Sequence, residues 1–534
     1  MSDRTGGRII GDALRAAGAT HAFGIPGGEV LALMQGLDDA GLRFVLVKHE
    51  NAGGFMAEGL WHATGAPGVL VATLGPGVAN AVNVVANAHQ DKVPLIFLTG
   101  CVDAAEAESY THQVFDHQQL LRPITKASFR ASHGAVAEVM AKAIAIATSG
   151  QPGPVHVDVP ISVAEATSDA ADIPPHLPGR VAPAGRRLDT ARKALAAARR
   201  PLAIAGVDAV NQGAGPAIRA WCDRNEVPLI TTYKAKGLID EGERLALGGA
   251  GLSPKADNIL KPLIEASDCI LLLGYDPIEM RIGWRNPWRA DQTVIELTEV
   301  PRTHGMHSVS HMLTASVREG LSALGDVDDP EGCWPDRAPE AAKASLAQAF
   351  APSGWGPGQV FATLRQAMPD TTVISADSGA HRILLSQMWQ CRAPRGMIQS
   401  TALCTMACAV PLAAGFKLGA PDTPVIAFVG DAGLEMGLGE LATIRDLGLP
   451  LIIVVLVDES LALIELKQRG TQRPNLGVDF GATDFPAVAT ALGGHGVLVE
   501  DAAALADAAR AALQRDTFTV IAARIGPRAY DGAF

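Results

Sequence analysis

Residues 425–460 read VIAFVGDAGLEMGLGELATIRDLGLPLIIVVLVDES. Two runs rich in β-branched and apolar residues, VIAFV and LIIVVLV, have the length and composition of buried strands. The stretch between them predicts a helix over about Gly437–Leu447. A strand, a helix and a second strand bring Asp431 and Asp458 to one end of the same parallel sheet. Two carboxylates there, with a backbone carbonyl nearby, make a hard oxygen site for Mg²⁺, completed by water and phosphate oxygens. Gly430 and Gly433 would let the backbone approach a phosphate closely. Two helix N-caps fit the same spacing. Spacing alone leaves both readings open.

The same alternation extends along the rest of the chain. At 534 residues it exceeds one ordinary core. Three blocks of strand and helix signals, 1–170, 188–325 and 357–534, are separated by breaker-rich stretches at 171–187 and 326–356. Strands alternating with helices of ten or more residues predict parallel sheets. The expected fold is therefore α/β, with three doubly wound domains. In such sheets ligands sit outside the carboxyl ends of the strands, which directs attention to the residues after each apolar run. A net charge of −12 argues against nucleic acid as a partner. The longest apolar runs are strand-sized, so no membrane span is expected. No apolar block follows the charges of MSDRTGGRIIGDALRAAG, so a cytoplasmic protein is expected. Seven scattered cysteines read as reduced structural thiols.

A second constellation fills 44–82, FVLVKHENAGGFMAEGLWHATGAPGVLVATLGPGVANAV. The strand FVLV leads into His49-Glu50, where a helix pattern begins. Glu50 reads either as a first-turn carboxylate favoured by the helix dipole or as a buried acid placed to exchange a proton. The next strand, GVLVATL, ends in Gly75-Pro76-Gly77, and another helix opens at Val78-Ala79-Asn80.

Together with GIPGGEV (24–30), THQ…LLRPITK (111–126), GYDPIE (274–279) and TALCTMACAVP (401–411), these pieces resemble the thiamine-diphosphate enzymes of the acetolactate synthase and pyruvate decarboxylase superfamily. The similarity covers nearly the whole chain. It implies thiamine diphosphate and Mg²⁺ as cofactors and a small 2-keto acid as substrate. Glu50 matches the glutamate that bonds N1′ of the aminopyrimidine ring and exchanges a proton with it. Gly75, Pro76 and Asn80 fall in the matching LGPGVAN motif. Met406 matches the apolar wedge beneath the cofactor, and the backbone of Cys404 and Met406 would contact the pyrimidine. Asp431, Asp458 and the Ser460 carbonyl match the Mg²⁺ ligands, flanked by Gly430, Ala432 and Gly433. Ser378, Gly379, Ala380 and His381 match a diphosphate-contacting turn, although Ala380 lacks the polar side chain often found there. In this family the cofactor lies between the first block of one chain and the third of another, which implies at least a homodimer and commonly a homotetramer.

Within the family, the details resemble the flavin-free, catabolic-type acetolactate synthases, so FAD is not expected. Gln113 falls at the position of an active-site glutamine, and GYDPIE and VDES resemble that branch. The resemblance implies condensation of two pyruvates to 2-acetolactate and CO₂. Two positions depart from it. Glu29 stands where the branch usually has lysine, and Lys467 stands where it has glutamine. Lys467 near the reacting carbon would bind a substrate carboxylate; on an exposed helix face it would be a solvated lysine. The alternative function is a decarboxylase or carboligase for another 2-keto acid, one with an added anionic group if Lys467 meets it. A non-catalytic homologue is a third reading, opposed by the presence of Glu50 and both aspartates.

Overall fold

The structure is a computed structural model and describes residues 4–302 and 304–534. It contains three six-stranded sheets, each wholly parallel, with helices on their faces. The first is built from His21–Ile25, Arg43–Leu46, Gly68–Ala72, Leu95–Cys101, Ala127–Arg130 and Val155–Pro160. Counted along the chain its strands lie in the order 2-1-3-4-6-5. The third sheet repeats that order with Val373–Ala376, Met397–Gln399, Val425–Gly430, Ile452–Val457, His495–Val499 and Thr519–Arg524. The middle sheet, from Pro201–Ala205 to His311–Thr314, has the order 3-2-1-4-5-6.

The central strands are apolar on both faces because helices cover both, and each is buried along its length. Ile426 to Gly430 pairs in register with Ile452 to Leu456, which levels the ends that carry Asp431 and Asp458. The connection between them differs from the expected single helix. It begins at Asp431 itself, as Asp431–Met436, breaks at Gly437 and resumes as Glu440–Asp446. Glycines at 437 and 439 interrupt it, since glycine is a weak helix former.

The first and third sheets are joined through two buried helices, Glu50–Thr64 and Ala409–Gly419. Their backbones touch. A Cβ on Gly59 would lie 2.1 Å from the Leu412 carbonyl oxygen, and one on Gly415 would lie 1.9 Å from that of Met56. Side chains from all three sheet regions meet beside this contact. The Lys234 ammonium lies 2.9 Å from Asp91 and 3.4 Å from Glu58. Burial pushes Glu58 above the usual carboxylate range. Asp91 also accepts the backbone N–H groups of Thr401 and Ala402 at 2.9 Å each. All seven cysteines are free thiols. Among the described residues no helix is long and apolar enough to cross a membrane.

Candidate cofactor and active site

In both outer sheets the second strand lies on one side of the first and the third lies on the other. Between first and third strands is the switch point where such sheets take their ligands. In the third sheet that point separates Ala376 from Gly430. A cavity of ≈ 140 Å³ opens there, lined by Ser378, Gly379, Ala380 and His381 from one strand end and by Gly430, Asp431, Ala432 and Gly433 from the other. Asp458, Ser460 and Met406 complete its polar and apolar walls.

Asp431 organises the adjoining strand end. Its Oδ2 accepts the backbone N–H of Asp458 (3.0 Å) and of Glu459 (2.7 Å), and Oδ1 accepts that of Ala432 (2.9 Å). Glu459 adopts φ +57, and the turn places Asp458 and Ser460 at the cavity. The helix-cap reading fails for Asp458, because the next helix starts only at Ala462. Burial first, then the neighbouring Asp431, pushes the Asp458 carboxyl up to about 7; burial raises Asp431 as well. Two crowded carboxylates on one cavity wall form a donor set that a hard divalent cation would relieve.

The opposite wall suits an anion. Burial, reinforced by Arg382, pushes His381 down to about 3, so its ring is neutral. Its Nε2 is buried without a hydrogen-bond partner. The ring lies 3.6 Å from where a Cβ on Gly430 would stand. With its one proton engaged at the Asp377 backbone, Nε2 would receive a phosphate oxygen on taking up a proton or through a bridging water. A Cβ on Gly433 would lie only 2.1 Å from Asp377 Oδ2.

Met406 is delivered by a loop held from three sides. Asp377, fully buried, accepts the N–H groups of Ala407 and Cys408 at 2.9 Å each. Arg382 donates to the Ser400 carbonyl (2.6 Å) and to Cys404 Sγ (3.0 Å). Cys404 and Ala407 both have positive φ, +54 and +63, a cost that non-glycine residues bear mainly at functional loops. Cys404 is therefore part of a strained loop, not of a helix.

The first sheet carries a second group of residues. Glu50 opens its helix and is only 4% exposed. Its Oε2 accepts a hydrogen bond from Asn80 Nδ2 at 2.9 Å, and a Cβ on Gly77 would lie 3.3 Å from its Oε1. The helix after the glycine turn starts at Pro76, earlier than the sequence pattern placed it, because proline suits the first helical position. Gly75, at φ +71, donates its N–H to His117 Nε2 (3.2 Å). His117 in turn donates from Nδ1 to Asp158 (2.8 Å). Thr99 and Ser128 satisfy the two nitrogens of His156. The His117–His156–Asp158 cluster has metal-like spacing, but every ring nitrogen already has a hydrogen-bond partner, and His117 uses its pair to tie the Gly75 turn to Asp158. Gln113 has φ +60 and lays its carbonyl over Gly75, 2.3 Å from where a Cβ would stand.

Glu50, Asn80, Gly75 and Gln113 thus form one group, and the third-sheet cavity another. Among the described residues no hydrogen bond or ion pair links Glu50 to a residue lining that cavity. Lys467 joins neither; it is exposed on helix Ala462–Gly470. Sequence reasoning missed Asp377, Asp91, Arg382 and Tyr530. Asp377 follows the strand VISA, so the strand-end rule that found Asp431 would have found it. Tyr530 comes from the C-terminal tail and lines the same cavity. Burial, with Asp458 and Asp431 nearby, pushes its phenol well above the ordinary range.

Comparison with known proteins identifies the family of the three domains. Residues 4–120 match the model for the N-terminal thiamine pyrophosphate (diphosphate) binding domain of thiamine pyrophosphate enzymes. Residues 188–324 match their central domain, and 377–523 match their C-terminal cofactor-binding domain. The chain is 30% identical to the "Probable 2-ketoarginine decarboxylase" of Pseudomonas aeruginosa, over 92% of this chain and 88% of that one. It is 27% identical to an acetolactate synthase of Bacillus subtilis, over 97% and 92%. An acetolactate synthase large subunit of Parasynechococcus marenigrum is 28% identical, over 97% and 87%. With three matched domains and this coverage, the chain belongs to the thiamine pyrophosphate-dependent enzymes, in the acetolactate synthase-like group.

Proposed function

We propose that the chain decarboxylates a 2-keto acid with thiamine diphosphate and Mg²⁺, in an acetolactate synthase-like reaction whose simplest form converts two pyruvates to 2-acetolactate and CO₂. The observation that carries this reading is the pairing of two strand-end sites: a buried carboxylate, Glu50, on one sheet, and an acid-lined cavity with an unpartnered His381 nitrogen on the other. Bound there, thiamine diphosphate would supply the electron sink that decarboxylation needs. The carboxylates of Asp431 and Asp458 and the Ser460 carbonyl would hold Mg²⁺. His381 Nε2 would meet a phosphate oxygen. Met406 would present an apolar surface, and the helix face behind it would keep water out. Glu50, oriented by Asn80, would hold and move a proton at Oε1. Gln113, fixed over Gly75, would orient the acceptor acid.

Because Glu50 and the cavity belong to separate groups within one chain, the reading includes assembly. The Glu50 side of one chain would complete the cavity of a second, which requires a homodimer or a dimer of dimers.

A second reading, in which the donor is a 2-keto acid other than pyruvate, is favoured by Glu29. Lys467, exposed in the single chain on the helix whose residues Leu463 and Ile464 line the cavity, remains the candidate partner for an added anionic group. The presence of a decarboxylase for 2-ketoarginine among the relatives also supports a non-pyruvate donor. Incubating the purified protein with thiamine diphosphate, Mg²⁺ and single 2-keto acids, with CO₂ and product mass recorded, tests both. Acetolactate from pyruvate supports the first reading, and CO₂ only from other donors supports the second. CO₂ from none overturns both.

A further inference from the structure

We propose that Glu29 is a specificity residue that selects a donor acid carrying a cationic group, guanidinium or ammonium, at the far end of its side chain. The inference rests on the 2-keto acid decarboxylation reading and names the substrate class of that same site.

Glu29 follows the strand His21–Ile25, and Thr73 follows Gly68–Ala72. These are the first and third strands of the first sheet, neighbours across its switch point. Thr73 Oγ1 donates to Glu29 Oε2 at 2.8 Å, so the pair bridges the crevice where such sheets take ligands. The local backbone is shaped around it. A Cβ on Gly27 would lie 2.2 Å from Thr73 Oγ1, and one on Gly100 would lie 3.0 Å from the Glu29 Cβ. On its other side the Thr73 methyl and Glu50 Oε1 both stand 3.3 Å from where a Cβ on Gly77 would lie, so both border the Gly77 backbone.

Charge makes the placement informative. Glu29 is half-buried, and Oε2 has its hydroxyl donor. Among the described residues no lysine, arginine or histidine forms an ion pair with it. Some buried carboxylates elsewhere are paired with cations, as Asp91 is with Lys234 and Asp208 with Arg302. Others, such as Asp377, are met by several backbone N–H groups, whereas the hydrogen bond to Glu29 comes from the single Thr73 hydroxyl. A carboxylate left unpaired in a ligand crevice repels an anionic side chain, gains nothing from a neutral one, and forms a charge-assisted pair with a cation. The cationic end of the acid would be directed to Glu29, and its reacting carboxylate away from both Glu29 and Glu50.

The test uses the full-length protein with thiamine diphosphate and Mg²⁺. It compares the 2-keto acid derived from arginine, the uncharged straight-chain acid of similar length, and the acid derived from glutamate. The expected kcat/KM favours the cationic acid over the neutral one by about tenfold or more, with the anionic acid poorest. Glu29→Gln, which keeps the Thr73 contact, collapses that ratio chiefly by raising KM for the cationic acid. Glu29→Lys reverses the order of cationic and anionic acids. Calorimetry with guanidinopentanoate, which has no keto group to react, reads the same preference without turnover. Equal kcat/KM for cationic and neutral acids in the wild type, or a ratio unmoved by Glu29→Gln, overturns the proposal while leaving decarboxylation standing. CO₂ from pyruvate, run alongside, but from none of the three acids overturns the proposal alone, and CO₂ from none of the four overturns the functional reading with it.

Discussion

The Asp431 carboxylate accepts the backbone N–H of Asp458 at 3.0 Å. The two aspartates are therefore one construction: the first builds the turn that presents the second. Their substitutions should differ in kind. Asp458→Asn weakens the response of activity to Mg²⁺ by roughly 10–100-fold and leaves the unfolding temperature nearly unchanged. Asp431→Ala also strands the N–H groups of Asp458 and Glu459, at about 1–3 kcal/mol each, and lowers the unfolding temperature. Chelation should abolish activity in the wild type, and added Mg²⁺ should restore it. Equal thermal effects from the two variants would contradict the division of labour.

Glu50 is tied to Asn80 and closed in by Gly77, so its replacement by a near-isostere should affect chemistry and spare the fold. Glu50→Gln is expected to lower turnover by about 10²–10⁴-fold, with unfolding unchanged. Exchange of the thiazolium C2 proton on bound cofactor, followed by NMR, should slow in parallel. Normal exchange in this variant would remove Glu50 from the proton-transfer role.

A methyl group at position 433 would enter the space of Asp377 Oδ2, the oxygen that fixes Ala407. Gly433→Ala is expected to cost about 1–3 kcal/mol through overpacking and to release the loop that carries Met406. Denaturant unfolding reads the first effect, and retention of cofactor on gel filtration reads the second. Asp377→Ala should reproduce both.

Asp158 supplies the pH dependence. Burial pushes its carboxyl up, but hydrogen bonds from His117 and His156 outweigh burial and hold it well below the usual carboxylate range. A depressed carboxyl contributes stability that is fully present above its unfolded value, about 3.9, and is lost as pH falls through the folded value. Asp158→Asn should therefore lower the unfolding temperature by a constant amount between about pH 7 and pH 5, and the gap should narrow below about pH 4. A gap that widens on acidification would contradict the assignment.

The three parallel sheets were legible because their strands are continuous apolar runs, a pattern that only double coverage explains. Strand ends then pointed to Glu50, Asp431 and Asp458 without any long-range information. Other features depend on pairings that local pattern does not encode. Asp91 holds Thr401 and Ala402 from 310 residues away, and Glu29 meets Thr73 across 44. Tyr530 lies in ARIGPRAYDGAF, where no periodicity marks it. Lys467 was ambiguous because a helical lysine looks the same whether its face is covered or wet. Within the single chain it is exposed, one helical turn from Ile464 in the cavity wall.

The crossing of Glu50–Thr64 over Ala409–Gly419 has a mechanical consequence. With Gly59 against Leu412 and Gly415 against Met56, the two helices cannot slide or roll without driving backbone into backbone. The outer domains of one chain therefore behave as a single stiff beam, and neither can serve as a jaw that opens for substrate. Entry and exit would then fall to segments outside the beam, the exposed residues leading up to Gln113 and the tail carrying Tyr530. Turnover should accordingly respond to crosslinks placed in those two segments and be indifferent to a crosslink between the helices.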